Sequence, residues 1–267
     1  MPDVTTGMLN GEIPYLAMGQ GPPLVMVMGL TGTHEVPTGW ERRAAIRSAV
    51  PLAGHFRVHV VNRKPGLRPG ESMSVIVGHL VDAIEQEIGG PVLLSGTSTG
   101  GSMALQLAVD RPDLVRALVV VAAAHRLGPV GRRLGQELAR ATRAGDAAQG
   151  WAQMLTAMLP GGLQAPARPL VRRVSGSMAP ADPSDLLVTL DAEDGFDVGG
   201  SLHRVSAPTL VMGGAKDVFY SRELFEQTAA GIPDGRVHIY PGWGHMRTTT
   251  STVTGNISLG FFLATTT

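Results

Sequence analysis

The chain has 267 residues, enough for one large α/β domain with a substantial core. Its 22 basic and 22 acidic side chains cancel, so no long-range field draws it to nucleic acid or to an anionic membrane. It has no cysteine, which excludes disulfides, thiolate catalysis and cysteine metal sites and suits a cytoplasmic location.

Met1 to Thr6 lacks the basic and apolar regions of a signal peptide, and no stretch is apolar for long enough to span a membrane. Short apolar or alternating runs predict strands over 4–9, 13–18, 24–28, 57–61, 91–95, 117–122, 208–213 and 236–240. Helical periodicity predicts helices over about 38–50, 73–88, 98–109, 221–230 and 254–264. Strands alternate with helices, which implies βα units and a mostly parallel sheet. The segment 126–201 breaks that alternation, being helical in period with no convincing strand. Pro160-Gly161-Gly162, Pro166 and Pro169 are expected to divide it into several short helices. Within it Trp151, Met154, Leu155, Met158 and Leu159 recur at helical spacing, as a packing face would. Arginines 126, 132, 133, 140, 143, 168, 172 and 173 crowd its first part. Asp182, Asp185, Asp191, Glu193, Asp194 and Asp197 follow, and the two sets read as solvated faces that pair with each other. Thr248 to Thr254 reads as a loop by composition, and Thr265-Thr266-Thr267 as a frayed end.

Three residues carry the chemistry. Gly96-Thr97-Ser98-Thr99-Gly100 sits between the strand 91–95 and a helix of small and aliphatic residues. Ser98 is therefore held on a sharp strand-to-helix turn, where flanking glycines let the two elements approach. Alone, the motif also fits an ordinary turn with a serine N-cap. A catalytic serine needs a base and a group to orient that base. Asp217 stands just past the strand 208–213. His245 stands just past the strand 236–240, in the turn Pro241-Gly242-Trp243-Gly244-His245. In a parallel sheet all three share the C-terminal edge. His125 ends the sixth strand on that edge and reads as pocket wall or structural residue. No His, Asp and Glu set has metal-ligand spacing, and no glycine-rich turn has a full phosphate-loop or dinucleotide pattern, so neither metal nor cofactor is expected.

With its order of serine, acid and histidine, the chain resembles the α/β-hydrolases over nearly its whole length. Met28-Gly29-Leu30-Thr31-Gly32 is similar to the family's oxyanion loop, with Met28 where histidine is usual. Arg57 to Arg63 is similar to the fourth strand, with Asn62 where aspartate is common. The resemblance implies an eight-stranded, mostly parallel sheet flanked by helices, with a helical cap inserted after strand 6. The core would be 1–125 and 202–267, and the cap 126–201. It implies Ser98 as nucleophile, His245 as base, Asp217 as its partner, and the backbone amides of Leu30 and Thr99 as oxyanion donors. Trp151, Met154, Leu155, Met158 and His125 would line the substrate pocket. The expected reaction is cleavage of a small ester-type carbonyl substrate through an acyl-enzyme, with lactone, thioester and amide substrates open beside the ester. Cofactor-free perhydrolases or haloperoxidases, C–C bond hydrolases and ligand receptors built on this fold are the alternatives. Serine rather than aspartate at the nucleophile position argues against dehalogenase or epoxide hydrolase chemistry. The serine turn is also similar to that of patatin-like phospholipases, but Asp194-Gly195-Phe196 and Asp234-Gly235-Arg236 do not match their aspartate motif.

Overall fold

The computed structural model describes residues 3–266. Its strands are β1 (Val4–Leu9), β2 (Ile13–Met18), β3 (Pro23–Val27), β4 (Arg57–Val61), β5 (Val92–Thr97), β6 (Val115–Val121), β7 (Thr209–Gly214) and β8 (Gly235–Tyr240). They form one 8-stranded sheet in the order β1-β2-β4-β3-β5-β6-β7-β8. β2 pairs antiparallel with β1 and β4, and every other pairing is parallel. The helices are α1 (Gly39–Ala53), α2 (Met73–Ala83), α3 (Thr99–Asp110), α4 (Pro129–Arg143), α5 (Ala147–Ala157), α6 (Gly161–Met178), α7 (Ser184–Asp194), α8 (Arg222–Gly231), α9 (His245–Thr250) and α10 (Thr252–Thr266). Among the described residues, no helix is long and apolar enough to cross a membrane.

The two-residue period of the strands sorts their side chains onto two cores. Leu24 and Met26 of β3 face Ala45, Ala49 and Leu52 of α1 and Phe261 and Phe262 of α10. Val25 and Val27 face the opposite layer, with Leu80 of α2, Met103 of α3 and Phe225 of α8. The strand order reverses direction between β3 and β5. A crevice therefore opens at their carboxyl ends, where an open α/β sheet binds its ligands.

The segment 126–201 folds as α4 to α7, and its ends meet. Arg126 and Asp197 form an isolated antiparallel bridge, and Val198 N–H donates to His125 O at 3.0 Å. The division expected at Pro160-Gly161-Gly162 falls between α5 and α6, but Pro166 and Pro169 divide nothing: α6 runs unbroken through both. Both prolines are exposed, so water can satisfy the carbonyls that their missing N–H groups leave free. Several of the segment's charges pair across helices, with Arg143 donating to Asp191 at 2.6 Å and Arg132 lying 3.8 Å from Asp194. Two acids depart from the solvated face. Asp185 accepts the N–H groups of Gly66 and Leu67, and Glu193 is buried.

Thr248 to Thr254 is not a loop. It spans the end of α9 and the start of α10, broken only at Ser251. The threonine hydroxyls bond back along the chain, Thr248 to Gly244 O at 3.0 Å and Thr250 to Met246 O at 2.7 Å, so these polar residues support helical turns. Of the expected frayed end, Thr265 is helical and bonds to Phe261 O, α10 continues to Thr266, and Thr267 lies outside the described residues.

Candidate active site

Ser98 ends the β5-to-α3 turn with φ 54° and ψ −128°, a conformation that costs a non-glycine residue ~1–3 kcal/mol. The core around it can carry that cost, since each fully buried leucine such as Leu93, Leu94 or Leu105 contributes ~1.5–3 kcal/mol. The turn is also locked sterically. A Cβ on Gly96 would collide with Gly100 O, one on Gly100 with the carbonyls of Val27 and Met28, and one on Gly101 with the Ala123 methyl group. Ser98 N–H donates to Val121 O at 2.9 Å, and its carbonyl accepts from Gly101 and Ser102. The Ser98 side chain makes no capping bond to α3. It turns instead to His245, whose Nε2 lies 3.1 Å from Ser98 Oγ.

His245 is the first residue of α9, not a loop residue. Its Nδ1–H donates to Asp217 Oδ2 at 2.8 Å, which leaves Nε2 free to accept the serine proton. Asp217 is held in turn. Its Oδ1 accepts the N–H groups of Phe219 at 2.8 Å and Tyr220 at 3.3 Å. The Phe219 ring sits 4.6 Å from the imidazole, tilted, and Tyr220 stacks on it at 6.4 Å. Strands β5, β7 and β8 thus bring three residues far apart in sequence into one chain of hydrogen bonds.

That chain opens into a cavity of about 260 Å³. Leu30 and Thr99 line it beside Ser98, and among the described residues neither backbone N–H donates a hydrogen bond within the protein. Trp151, Met154, Leu155 and Met158 also line it, from α5 and its C-cap. Met28, Met178, Leu190 and Phe219 complete an apolar wall. His125 is not part of the wall. Its Nδ1 lies 3.0 Å from Thr228 Oγ1 on α8, and its Nε2 accepts from Arg126 Nε at 3.3 Å.

Sequence reading missed several polar residues of this cavity, among them Glu41, Tyr220 and the buried Glu193. Glu193 of α7 lies in a run of acids most of which face solvent, and nothing in that run's composition separates it from them. It is 6% exposed, and its Oε1 accepts from Ser102 Oγ at 2.7 Å. Burial pushes its carboxyl up to about 7, against the lowering effects of the Ser102 bond and the Arg63 charge. Burial, together with the Glu193 charge, also raises the Tyr220 hydroxyl well above its ordinary range.

The model of the Alpha/beta hydrolase family matches residues 24–251. A Klebsiella pneumoniae subsp. pneumoniae protein provisionally named carbamate hydrolase RutD is 27% identical over 228 residues, covering 82% of this chain and 83% of its own. The pimeloyl-[acyl-carrier protein] methyl ester esterase of Nitrosomonas europaea is 26% identical over 242 residues, covering 85% of this chain and 90% of its own. Among solved structures, the enol-lactonase from Burkholderia xenovorans LB400 has a TM-score of 0.78 at 16% identity, over 97% of this chain and 100% of its own, which shows the shared fold. The sheet, its strand order and the extent of the family match lead to one conclusion: this chain belongs to the alpha/beta hydrolase family and is a hydrolase.

Proposed function

We propose that this hydrolase cleaves small, largely apolar esters with Ser98 as nucleophile, His245 as general base and acid, and Asp217 as the group that orients the imidazole. The observation that carries this reading is the hydrogen-bond chain Asp217–His245–Ser98 ending at an apolar cavity. As Ser98 Oγ attacks the ester carbonyl, His245 Nε2 takes its proton. The tetrahedral oxyanion receives hydrogen bonds from the N–H groups of Leu30 and Thr99; one such donor is typically worth ~2.7–4 kcal/mol. His245 returns the proton to the leaving alkoxide, and the alcohol departs. Water then attacks the acyl-enzyme with His245 again as base, which releases the acid and restores Ser98. The esterase and lactonase relatives support an ester-type substrate for this chain.

Residues 126–201 serve as a cap on a core formed by 1–125 and 202–267. The bridge between Arg126 and Asp197 at the neck of the segment supports that division. Trp151, Met154, Leu155 and Met158 then act as substrate-facing residues of the cap.

The test is fluorophosphonate labelling combined with turnover of a p-nitrophenyl ester series. Mass spectrometry should place the adduct on Ser98, and Ser98→Ala should lose both label and turnover while its circular dichroism is unchanged. An adduct on another serine overturns the assignment. Ester binding with no turnover at any chain length would make the protein a receptor on a hydrolase fold.

A further inference from the structure

Behind the loop that follows β3 lies a charged residue that the ester reaction above does not use. Arg63 follows β4 and is 1% exposed. Its hydrogen bonds go to carbonyls, a hydroxyl and a ring nitrogen, with no carboxylate among them. Nη1 and Nη2 both donate to Gly29 O, at 3.1 and 3.2 Å, and Nη1 makes a longer contact to Met28 O at 3.4 Å. Nη2 also donates to Thr31 Oγ1 at 2.7 Å, and Nε to His34 Nε2 at 2.9 Å. Burying a guanidinium without a bonded carboxylate is costly, so the arrangement calls for a role that offsets the cost.

Peptide geometry supplies one. The Gly29 carbonyl and the Leu30 N–H belong to the same peptide unit, which is trans, so they point in opposite directions. Two guanidinium donors on the carbonyl side therefore fix the direction of the Leu30 N–H on the other side. That other side is the cavity: Leu30 lines it with Ser98, and a Cβ on Gly29 would stand 3.5 Å from Ser98 Cβ. A cation on the carbonyl also polarises the peptide and strengthens its N–H as a donor.

The surroundings hold Arg63 in place. His34 Nδ1–H donates to Lys64 O at 3.0 Å, so its Nε2 is left as an acceptor for Arg63. Burial and the Arg63 charge pull the His34 imidazole down to about 3, so it stays neutral. The guanidinium itself is lowered by burial only to about 10 and remains charged at neutral pH. Asn62 donates to Thr33 O and Glu35 O and accepts from Arg63 N–H, fixing the rest of the loop.

We propose that Arg63 is a positioning residue of the oxyanion site. It holds the Gly29–Leu30 peptide so that the Leu30 N–H faces Ser98, and it strengthens that donor as negative charge develops. This inference rests on the ester-cleavage reading above. Three variants test it: Arg63→Met, Arg63→Lys and Arg63→Gly. Arg63→Met should lower kcat on p-nitrophenyl butanoate by about 10²-fold with KM changed only a few-fold. Its affinity for a trifluoromethyl ketone, whose serine adduct carries the oxyanion, should fall by the same factor. Arg63→Gly should regain activity when millimolar guanidinium is added and not when sodium is added at equal ionic strength. A merely structural role would move neither the ketone affinity in step with kcat nor the rescue. If Arg63→Met does not fold, Arg63→Lys keeps the cation with a single donor group and should show a smaller loss of both quantities. Wild-type kcat and ketone affinity in the folded variants overturn the inference. If wild-type protein is neither labelled nor active on esters, the ester reading fails instead. The crystal structure of Arg63→Met or Arg63→Lys then decides the inference. A reoriented Gly29–Leu30 peptide supports it, and an unmoved one overturns it.

Discussion

The carboxyl edge of the sheet and the inserted helices α4 to α7 face each other across one cavity, yet they are built under different constraints. At the edge, backbone dictates sequence. Gly96, Gly100 and Gly101 each lie where a Cβ would strike a neighbour, and Ser98 is held at positive φ. In the insertion, Gly161, Gly162 and Gly176 have open space around the position of a Cβ, two prolines are tolerated inside α6, and Leu163 and Leu170 are 54% and 65% exposed. Glu193 apart, its inner side chains meet the cavity through apolar contact, which many residues could supply. The comparison separates a part that fixes the Asp217–His245–Ser98 hydrogen-bond chain from a part that lines the cavity beside it.

The largest expected effect lies at the edge. Ser98→Ala and His245→Gln should each lower kcat by about 10⁴–10⁶-fold, and Asp217→Asn by about 10²–10⁴-fold, with melting temperature little changed. A comparable loss from an apolar replacement of Leu155 would break the comparison.

Next comes Glu193, where the two regions touch. Its carboxyl titrates near 4.5 in the unfolded chain and at about 7 in the native one. Between those values the folded state holds a proton that the unfolded state has lost. The favourable contribution is therefore complete below about 4.5 and is lost as pH rises through about 7. Urea unfolding of wild type should show a loss of roughly 2–3 kcal/mol from pH 5 to pH 8 relative to Glu193→Gln, which retains an acceptor for Ser102. Parallel pH profiles would show that Glu193 does not titrate as described.

Gly100→Ala should destabilise the protein by ~1–3 kcal/mol in the same assay, because the obstructing atoms are backbone carbonyls. Leu155→Gln should change the ratio of kcat/KM for octanoyl and acetyl p-nitrophenyl esters by about tenfold, through loss of apolar contact with the longer chain. Equal effects on both esters would make α5 scaffold. The smallest effect has the opposite sign. Gly162→Ala should stabilise by up to ~1 kcal/mol, since the site is helical and open.

The sheet was legible because its strands are short apolar runs punctuated by turn residues, and β5, β7 and β8 each deliver one candidate residue just past their ends. The spacing of Trp151, Met154, Leu155 and Met158 marked one packing side of α5, and that side lies along the cavity. What escaped was set by tertiary surroundings. Nothing local marks Arg63 as the arginine folded inward, or Glu193 as the acid that leaves its exposed neighbours. Composition misled at Thr248 to Thr254, where side chains that favour turns cap and brace two helices instead. Proline misled in α6, because solvent exposure removes most of the cost of its missing hydrogen bond.

The bridge between Arg126 and Asp197 has a practical corollary. The whole excursion over the cavity leaves and rejoins the sheet through a single pair of residues, with His125 and Val198 hydrogen-bonded beside it. A cut at this neck severs few contacts to β6 and β7, and the two stumps already lie at pairing distance. If 126–201 is the cap proposed above, the neck is where it would be cut as a cassette, with the bonds of Asp185 to Gly66 and Leu67 and of Glu193 to Ser102 as the further ties to replace. Its exchange for the corresponding piece of another alpha/beta hydrolase should then leave β5, β7 and β8, which carry Ser98, Asp217 and His245, paired as they are.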